Sequence, residues 1–372
     1  MDLSRVDAVV RQDAALLEED LREFLRSPAL GPVPGGAPEA VYEAALRHAL
    51  YEPVADALGS KVGQQALPPT ADAPGGRAPL RPSMVYWAYR NYRGFPGDPG
   101  DESAAADLAV IRRAAVAVRV LLKAAVALDD IQDGSDVRYG EAALHVTHGV
   151  PMALNTGSWL VAAALRHAAQ PAVVDRLLRA VADGFTGQAA DLATRSPHIR
   201  AGLLAAPHEE RVRYWESMAA LKTGTLFWMP LDAAIAGLGV IEEDRHVLDS
   251  AMRRLGLASQ LFNDLTDVVP EFGGANTHED FDALGNRVFL ELLGSREPDG
   301  GDLKGFVLGH PRLRETVGAL AAEAVELKRT AKDAVHGVCR SEPSAAYFDL
   351  TIERKGHLID RLLETVRRGS PV

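Results

Sequence analysis

Two acidic clusters constrain this chain more than any other feature, because each one closes a long apolar stretch of helical character. The first reads Asp129-Asp130-Ile131-Gln132-Asp133, and the second reads Asn263-Asp264-Leu265-Thr266-Asp267. Residues four apart share one face of a helix, so the first and last residues of each cluster lie together. Like charges at this spacing repel, which favours a shared counter-ion, and a set of oxygen ligands suits Mg²⁺ better than zinc.

The composition is that of a globular helical protein with a large core. Hydrophobic residues make up 47% of the 372 residues and charged residues 24%. Ala/Leu/Val-rich segments run from end to end, which predicts a single all-α domain, a large helical bundle around a central apolar cavity. We expect outer amphipathic helices in residues 1–66, a Pro/Gly-rich loop region over 67–103 and a catalytic bundle over 104–372.

The periodicity of apolar residues sets the expected helices. They are 5–27, 38–59, 104–133, 142–168, 172–195, 208–237, 242–267, 281–294, 311–340 and 344–368. The Ala-rich helix over residues 311–338 offers either a core face or a face for a dimer.

Charge excludes several classes of partner. The formal net charge of −11 argues against a nucleic-acid or anionic-membrane surface and favours a small-molecule substrate. Arg119 and Lys123 interrupt the apolar run 114–128, so no stable membrane insertion is expected. Cys339 is the single cysteine and the N-terminus lacks a signal-peptide core, which predicts a cytoplasmic protein.

Five motifs, in order and at the right spacing, resemble those of the polyprenyl synthetase family, the trans-isoprenyl diphosphate synthases of the all-helical isoprenoid synthase fold. The resemblance extends from Gly75 to Gly294. The motifs are the DDxxD cluster with its Arg-containing tail (129–140), the segment 149–157, the Gly-Gln-x-x-Asp of 187–191, the Lys-Thr of 222–224, and 256–260, which leads into the second acidic cluster.

The resemblance implies an enzyme that ionises an allylic isoprenoid diphosphate, and a homodimer. It implies catalytic roles for Asp129, Asp133, Asn263 and Asp267. Three Mg²⁺ ions would be held by these four residues together with Asp130 and Glu271, and would act as Lewis acids on the leaving group. The residues implied to contact the diphosphate are Arg138, Lys222, Gln188, Asp191 and Gln260.

An allylic cation needs an apolar cavity that excludes water. Candidate ring faces for it are Trp159, Phe227, Trp228 and Phe262, although ordinary core packing is the commoner role of such aromatics. In the family the residues four and five before the first Asp set the cavity depth, and here they are Ala125 and Ala124. Small side chains leave room, which favours farnesyl or geranylgeranyl diphosphate over geranyl diphosphate.

The chain departs from the family at the second pocket, which binds isopentenyl diphosphate in elongating synthases. The loop Gly75–Pro82 has altered spacing, Leu122 stands at the family's His, and Tyr139 at its second Arg. The family's later phosphate-side lysines correspond to Ala275 and Asn286. Replacing a cation at a diphosphate site weakens binding, because charge-assisted hydrogen bonds are lost.

These departures favour cyclisation of the allylic cation over its transfer to isopentenyl diphosphate. Asn263, Asp267 and Glu271 have the i, i+4, i+8 spacing of the NSE metal motif of terpene cyclases, although Pro270 kinks a helix just before Glu271. The leading hypothesis is therefore a terpene cyclase on a prenyl-synthase scaffold. The alternatives are a head-to-tail prenyltransferase that uses isopentenyl diphosphate or an unusual acceptor, and a non-catalytic partner subunit.

Overall fold

Almost every described element is a helix, which confirms the all-α expectation. The computed structural model describes residues 3–26, 52–63, 78–96, 103–138, 140–240, 242–269, 272, 284–293 and 302–368. The helices are α1 (Leu3–Arg26), α2 (Glu52–Gly63), α3 (Leu80–Arg93), α4 (Ser103–Asp133), α5 (Leu144–His148), α6 (Val150–Ala168), α7 (Pro171–Ala193), α8 (Pro197–Ala205), α9 (His208–Ala219), α10 (Thr225–Leu238), α11 (Glu242–Thr266), α12 (Arg287–Leu292), α13 (Leu303–Leu308), α14 (Leu313–His336) and α15 (Glu342–Arg368).

Helix α10 lies at the centre of the bundle. It is apolar on all sides, and every residue from Phe227 to Ile235 is buried, as expected for a helix without a solvent face. It contacts α3, α4, α7 and α11. The helices α4 and α11, which end in the two acidic clusters, therefore flank the same central helix.

The end of α4 is shaped by two glycines in the left-handed region. Gly134 follows the last helical residue with φ +70°, and Gly140 has φ +80°. Strand β1 (Val137–Arg138) lies between these glycines and pairs antiparallel with strand β2 (Glu141–Ala142), which follows Gly140. This short hairpin turns the chain back, so that Arg138 faces the acidic end of α4.

The expected loop region over 67–103 is wrong in its middle, because α3 occupies residues 80–93 and its residues 82–91 are buried. The prolines that suggested a loop mark the start of this helix instead. Pro79 caps α3 and Pro82 lies in its first turn, where a missing N–H costs nothing.

Other predicted boundaries also shift. The expected helix 142–168 is divided at Gly149, which has φ +80°, and 208–237 is interrupted by a π-helical turn at Ala220–Gly224. Of the described residues of the expected helix 281–294, which are 284–293, those from 287 to 292 are helical, and α8 and α13 were not predicted. Residues 38–51 of the second expected helix lie outside the described residues.

None of the described helices combines the length and the apolar character needed to cross a bilayer.

Candidate active site

The first acidic cluster occupies the last turn of α4, and its three carboxylates have different environments. Asp129 and Asp133 are half-buried on one face. Asp130, next to them, is 0% exposed, and each of its oxygens receives a cation. Asp130 thus lies behind the acidic face that Asp129 and Asp133 present.

Four cations hold this cluster. Arg138 donates from Nε to Asp130 Oδ1 at 2.5 Å and from Nη2 to Asp129 Oδ2 at 3.2 Å. Lys61 of α2 donates to Asp130 Oδ2 at 3.0 Å. Arg195, just after α7, donates to Asp133 Oδ1 at 3.0 Å. The fourth cation is Lys222.

Lys222 is the point at which three carboxylates converge. Its Nζ lies 2.6 Å from Asp191 Oδ2, 3.5 Å from Asp129 Oδ1 and 3.9 Å from Asp133 Oδ2. It is presented by the π-helical turn between α9 and α10, and such turns occur frequently at functional sites. One ammonium therefore bridges the acidic ends of α4 and α7.

These contacts shift the pKa values of both partners. Burial raises the pKa of Asp129, but Lys222 and Arg138 outweigh it and hold the pKa below its ordinary value. Burial opposes the charge of Lys222, yet Asp129, Asp191 and Asp133 raise its pKa above the usual range. At neutral pH, Asp129 therefore stays negatively charged and Lys222 stays positively charged.

Glycines allow the helices that carry the motifs to touch at their backbones. A Cβ on Gly187 would lie 2.3 Å from the backbone nitrogen of Lys222, and a Cβ on Gly256 would lie 2.3 Å from the Cα of Gly224. Any side chain at either glycine would push these helices apart. These close contacts explain the glycines at positions 187, 224 and 256 of the sequence motifs.

The second acidic cluster connects to Lys222 through its neighbour. Thr223 donates to the carbonyl oxygen of the Gln260 side chain at 2.6 Å, and the Gln260 amide donates to Asp264 Oδ1 at 2.8 Å. Asp264 Oδ2 accepts from Trp215 Nε1 at 2.9 Å and from the Arg287 backbone N–H at 2.8 Å. Asp264 is thus a buried structural carboxylate, and the two acidic clusters belong to one region of the fold.

The remaining residues of this cluster differ in exposure. Asn263 is exposed, whereas Asp267 is 8% exposed and its Oδ2 accepts from Asn286 Nδ2 at 2.9 Å. Asn286 stands where the sequence comparison expects a family lysine, so a neutral amide holds this carboxylate. Glu271 lies outside the described residues.

Segment 284–293 also reaches Asp191, which Lys222 links to the first cluster. A Cβ on Gly285 would lie 2.2 Å from Asp191 Oδ1. Since Asn286 contacts Asp267, the two adjacent residues link the Asp191–Lys222 pair to the second cluster.

Gln188, one turn before Asp191, is a buried amide without a partner. It is 7% exposed, and neither its Oε1 nor its Nε2 has a hydrogen-bond partner among the described residues. Such a group is costly unless a ligand satisfies it. The region thus supplies carboxylates, amides and cations, a donor set that fits a hard cation with a phosphate group. Within the described residues no three His, Cys, Asp or Glu side chains form a ready metal cluster.

The candidate cavity residues do not share one environment. Trp159, Phe227 and Trp228 belong to or pack against the main core, whereas Phe262 packs against a second apolar cluster. Arg81 lies 4.8 Å from the centroid of the Phe227 ring, and Arg245 lies 5.8 Å from that of Trp228. One face of each of these two rings therefore carries a guanidinium.

The two alanines that were expected to set the cavity depth also differ. Ala124 is 0% exposed, and its carbonyl oxygen lies 3.6 Å from the position that a Cβ on Gly157 would take. Ala125 is half-buried. A larger side chain thus has more room at Ala125.

A group of four basic side chains lies on α3, α4 and α15, and we call Arg81, Arg119, Lys123 and Lys355 the basic cluster. Lys123 is 4% exposed; burial, followed by Arg119, lowers its pKa to about 7. Burial, followed by Arg81, lowers the pKa of Lys355 to about 8. Lys355 is the exposed member of the cluster. Cations gathered in this way repel one another.

Sequence reasoning missed three residues of this region. Arg195 follows Asp191 by four residues, so its helical spacing was a usable signal. Trp215 and Lys61 had no such signal, because they approach the acidic clusters from helices that carry no recognised motif.

Comparison with known proteins identifies the family. A sequence model described as polyprenyl synthetase matches residues 65–282, which is more than half of the chain. The chain belongs to the polyprenyl synthetase family. This membership confirms the family resemblance and the expectation of an isoprenoid diphosphate-utilising enzyme.

Two relatives match this chain at about the same sequence identity. The chain is 30% identical to fusoxypene synthase of Fusarium oxysporum over 246 residues, 64% of this chain and 31% of that protein. It is 29% identical to prenyl transferase nodC of Hypoxylon pulicicidum over 206 residues, 53% of this chain and 60% of that protein. The chain thus spans less than two thirds of either relative.

Solved structures confirm the isoprenoid synthase fold. A decaprenyl diphosphate synthase from Rhodobacter capsulatus matches with a TM-score of 0.61 and 19% identity, covering 98% of this chain and 99% of that one. A polyprenyl synthase from Caulobacter crescentus, solved with calcium and isoprenyl diphosphate, matches with a TM-score of 0.59 and 20% identity, covering 94% and 96%.

Proposed function

We propose that this protein is a Mg²⁺-dependent enzyme that ionises an allylic isoprenoid diphosphate. The observation that carries the proposal is the convergence at Lys222–Thr223. Lys222 holds carboxylates of α4 and α7, and Thr223 reaches the second acidic cluster through Gln260. Opposed acidic faces around a cation suit a diphosphate and its metal ions.

The residues divide into metal-binding and diphosphate-binding groups. Asp129 and Asp133 would hold ions on one side, and Asn263, Asp267 and Glu271 on the other, with three Mg²⁺ expected by resemblance. We leave Asp130 out of this set, because both of its oxygens carry cations. The ions would neutralise the charge that develops on the leaving diphosphate.

Cationic and amide groups would hold the diphosphate itself. Lys222 and Arg138 would donate to its oxygens, Lys222 as a point charge and Arg138 as a planar fork. The unpartnered amide of Gln188 has capacity for one such contact. Asp191 and Gln260 would position Lys222 and Thr223 rather than touch phosphate, since their polar atoms already bind those two side chains.

Cyclisation is the fate of the cation that we propose first. Leu122 offers no donor where the family has His, and Tyr139 stands where the family has its second Arg. Both changes weaken a second diphosphate site. The substrate we propose is farnesyl or geranylgeranyl diphosphate, since Ala124 and Ala125 leave the chain space.

Transfer to a second, phosphorylated molecule is the other candidate, and the basic cluster favours it. Arg81 lies against Phe227, one turn beyond Thr223, so the cluster begins close to the acidic region. Its crowded cations would be stabilised by the phosphate of an acceptor. We therefore keep prenyl transfer as the second candidate function.

One incubation series separates the candidates. The protein is given geranyl, farnesyl or geranylgeranyl diphosphate with Mg²⁺, each with and without isopentenyl diphosphate, and the products are identified by mass spectrometry. Cyclisation predicts a cyclic hydrocarbon or alcohol from one diphosphate alone. A longer linear diphosphate that forms only with isopentenyl diphosphate would establish transfer, and no consumption of any substrate would reject both.

We also propose a homodimer. Large apolar side chains that are exposed among the described residues concentrate on α5 to α8, and include Val146, Val150, Leu154, Leu178, Phe185 and Ile199. The alternative face on 311–338 has less support, because the apolar side of α14 packs against α11 and α15. Sedimentation analysis of the protein and of Leu154→Glu tests this: a monomeric wild type would reject the dimer.

A further inference from the structure

Helix α2 ends just before the segment that matches the family. The family match begins at residue 65, whereas α2 covers Glu52–Gly63. The helix contacts α4, α5 and α6. Its Ala57 is 0% exposed and belongs to a small apolar cluster with Ala127, Leu144 and Ala153. This packing fixes α2 beside the last two turns of α4.

The same face of α2 delivers a cation to the first acidic cluster. Lys61 follows Ala57 by four residues and so lies on the same side of the helix. Its side chain is 1% exposed, and its Nζ lies 3.0 Å from Asp130 Oδ2. Asp130 is 0% exposed, so this is a fully buried ion pair.

Beside the Lys61–Asp130 pair, Arg138 divides its hydrogen bonds between two carboxylates. Arg138 Nε binds Asp130 Oδ1 at 2.5 Å, and its Nη2 binds Asp129 Oδ2 at 3.2 Å. A guanidinium beside a carboxylate otherwise prefers two parallel bonds to both oxygens. Lys61 occupies the second oxygen of Asp130, which blocks that arrangement. One Arg138 nitrogen therefore stays with Asp129, on the face of the cluster.

We propose that Lys61 is a positioning residue, which caps Asp130 so that Arg138 remains turned toward Asp129 and toward the diphosphate. The inference rests on the proposed function. Lys61 acts through Asp130 and Arg138 and does not touch the substrate. The buried charge of Asp130 is the reason that Lys61 is needed, so removing that charge removes the need.

The test measures the binding of inorganic pyrophosphate with Mg²⁺ by calorimetry, together with kcat and KM for the allylic diphosphate. Lys61→Met is expected to weaken pyrophosphate binding about 10- to 100-fold, the usual effect of losing a residue that orients a binding group. The KM should rise more than kcat falls. Lys304→Met, at an exposed lysine of α13, is the matched control and should bind as wild type.

The decisive variant combines Lys61→Met with Asp130→Asn. Without the Asp130 charge, Arg138 is no longer drawn away from Asp129, so the double variant should bind pyrophosphate within a few-fold of wild type. Binding by the double variant that is as weak as, or weaker than, that of Lys61→Met would overturn the proposal. Wild-type binding by Lys61→Met alone would also overturn it.

Folding is followed by circular dichroism and thermal melting. If Lys61→Met does not fold, Lys61→Gln takes its place. Pyrophosphate binding is then compared between Lys61→Gln alone and Lys61→Gln combined with Asp130→Asn, which replaces the ion pair by an amide pair of similar shape. If wild type itself shows no Mg²⁺-dependent pyrophosphate binding, the proposed function fails. Unchanged binding in the Lys61 variants against a binding wild type rejects this inference alone.

Discussion

The two acidic clusters have the same spacing, yet the protein satisfies their carboxylates by opposite means. In the first cluster, Lys61, Arg138, Arg195 and Lys222 provide four cations to three aspartates. In the second cluster, Asp264 and Asp267 accept hydrogen bonds from neutral groups: the Trp215 indole, the amides of Gln260 and Asn286, and a backbone N–H.

This difference teaches what each cluster can contribute. The first cluster is nearly neutralised by cations that also fit phosphate, so it is arranged to accept a diphosphate along with a metal ion. The second accepts hydrogen bonds from neutral groups, which do not cancel its charge. On the proposed function, the first cluster therefore binds both the leaving group and metal ions, and the second cluster binds metal ions.

The largest expected effect is on turnover of the allylic diphosphate. Asp129→Asn removes a carboxylate that contacts both Lys222 and Arg138, and we expect kcat/KM to fall about 10³-fold, or about 4 kcal/mol. Asp136→Asn, at a side chain that is 84% exposed in the loop after α4, is the control. Equal activity of the two variants would remove the first cluster from the site.

Next in size is a difference in stability between two buried aspartates. Asp130→Asn leaves the buried Lys61 without its counter-charge and Arg138 without one of its two carboxylate partners, and we expect the free energy of unfolding to fall by about 3 kcal/mol. Asp264→Asn weakens hydrogen bonds from neutral donors, for a loss of about 1–2 kcal/mol. Urea denaturation measures both, and the reverse order would contradict the comparison.

Lys222→Met tests the bridge between the clusters. It removes one donor to the diphosphate and leaves Asp129, Asp133 and Asp191 without their shared cation, so kcat/KM should fall about 10²-fold. Lys222→Arg keeps the charge and should recover part of the loss. Steady-state kinetics decide this, and full activity of the Met variant would rule out Lys222 as a diphosphate ligand.

The pH dependence of stability should also report the first cluster. The pKa of Asp129 is held below its ordinary value of 3.8, so the ionised form contributes stability above that pH. The contribution is lost as the pH falls through the lowered pKa. Wild type should therefore be more stable than Asp129→Asn near pH 7, and the gap should close as the pH falls below 3.8.

The smallest expected effect concerns the neutral donor of the second cluster. Asn286 caps α12 and binds Asp267, whereas Asp302 caps α13 without contacting either cluster. Alanine at either position should cost about 1 kcal/mol of stability. Only Asn286→Ala should raise the Mg²⁺ concentration for half-maximal activity, by a few-fold. Equal Mg²⁺ requirements would show that Asn286 does not orient Asp267.

Much of this arrangement could be predicted from the sequence. Helical periodicity gave α4, α7 and α11 to within a few residues, and the family resemblance assigned Lys222, Asp129 and Asp191 to one site, where the structure brings their side chains together. These features depend on local patterns that every helix repeats.

The rest depended on contacts that no local pattern encodes. Lys61 lies 69 positions before Asp130, and only the packing of α2 against α4 brings them together. Helix α3 was also not predicted, because Pro79 and Pro82 are as compatible with a loop as with the start of a helix. Asp129 and Asp130 are neighbours in sequence. Only their different burial distinguishes Asp129, which is half-buried on the acidic face, from Asp130, which is fully buried and structural.

The central claim is that both acidic clusters belong to one metal and diphosphate site, and calorimetry of pyrophosphate binding tests it most directly. Wild type should bind pyrophosphate with Mg²⁺ but not with EDTA, and Asp129→Asn and Asp267→Asn should each abolish the binding. Binding that survives EDTA, or wild-type binding by either variant, would contradict the claim.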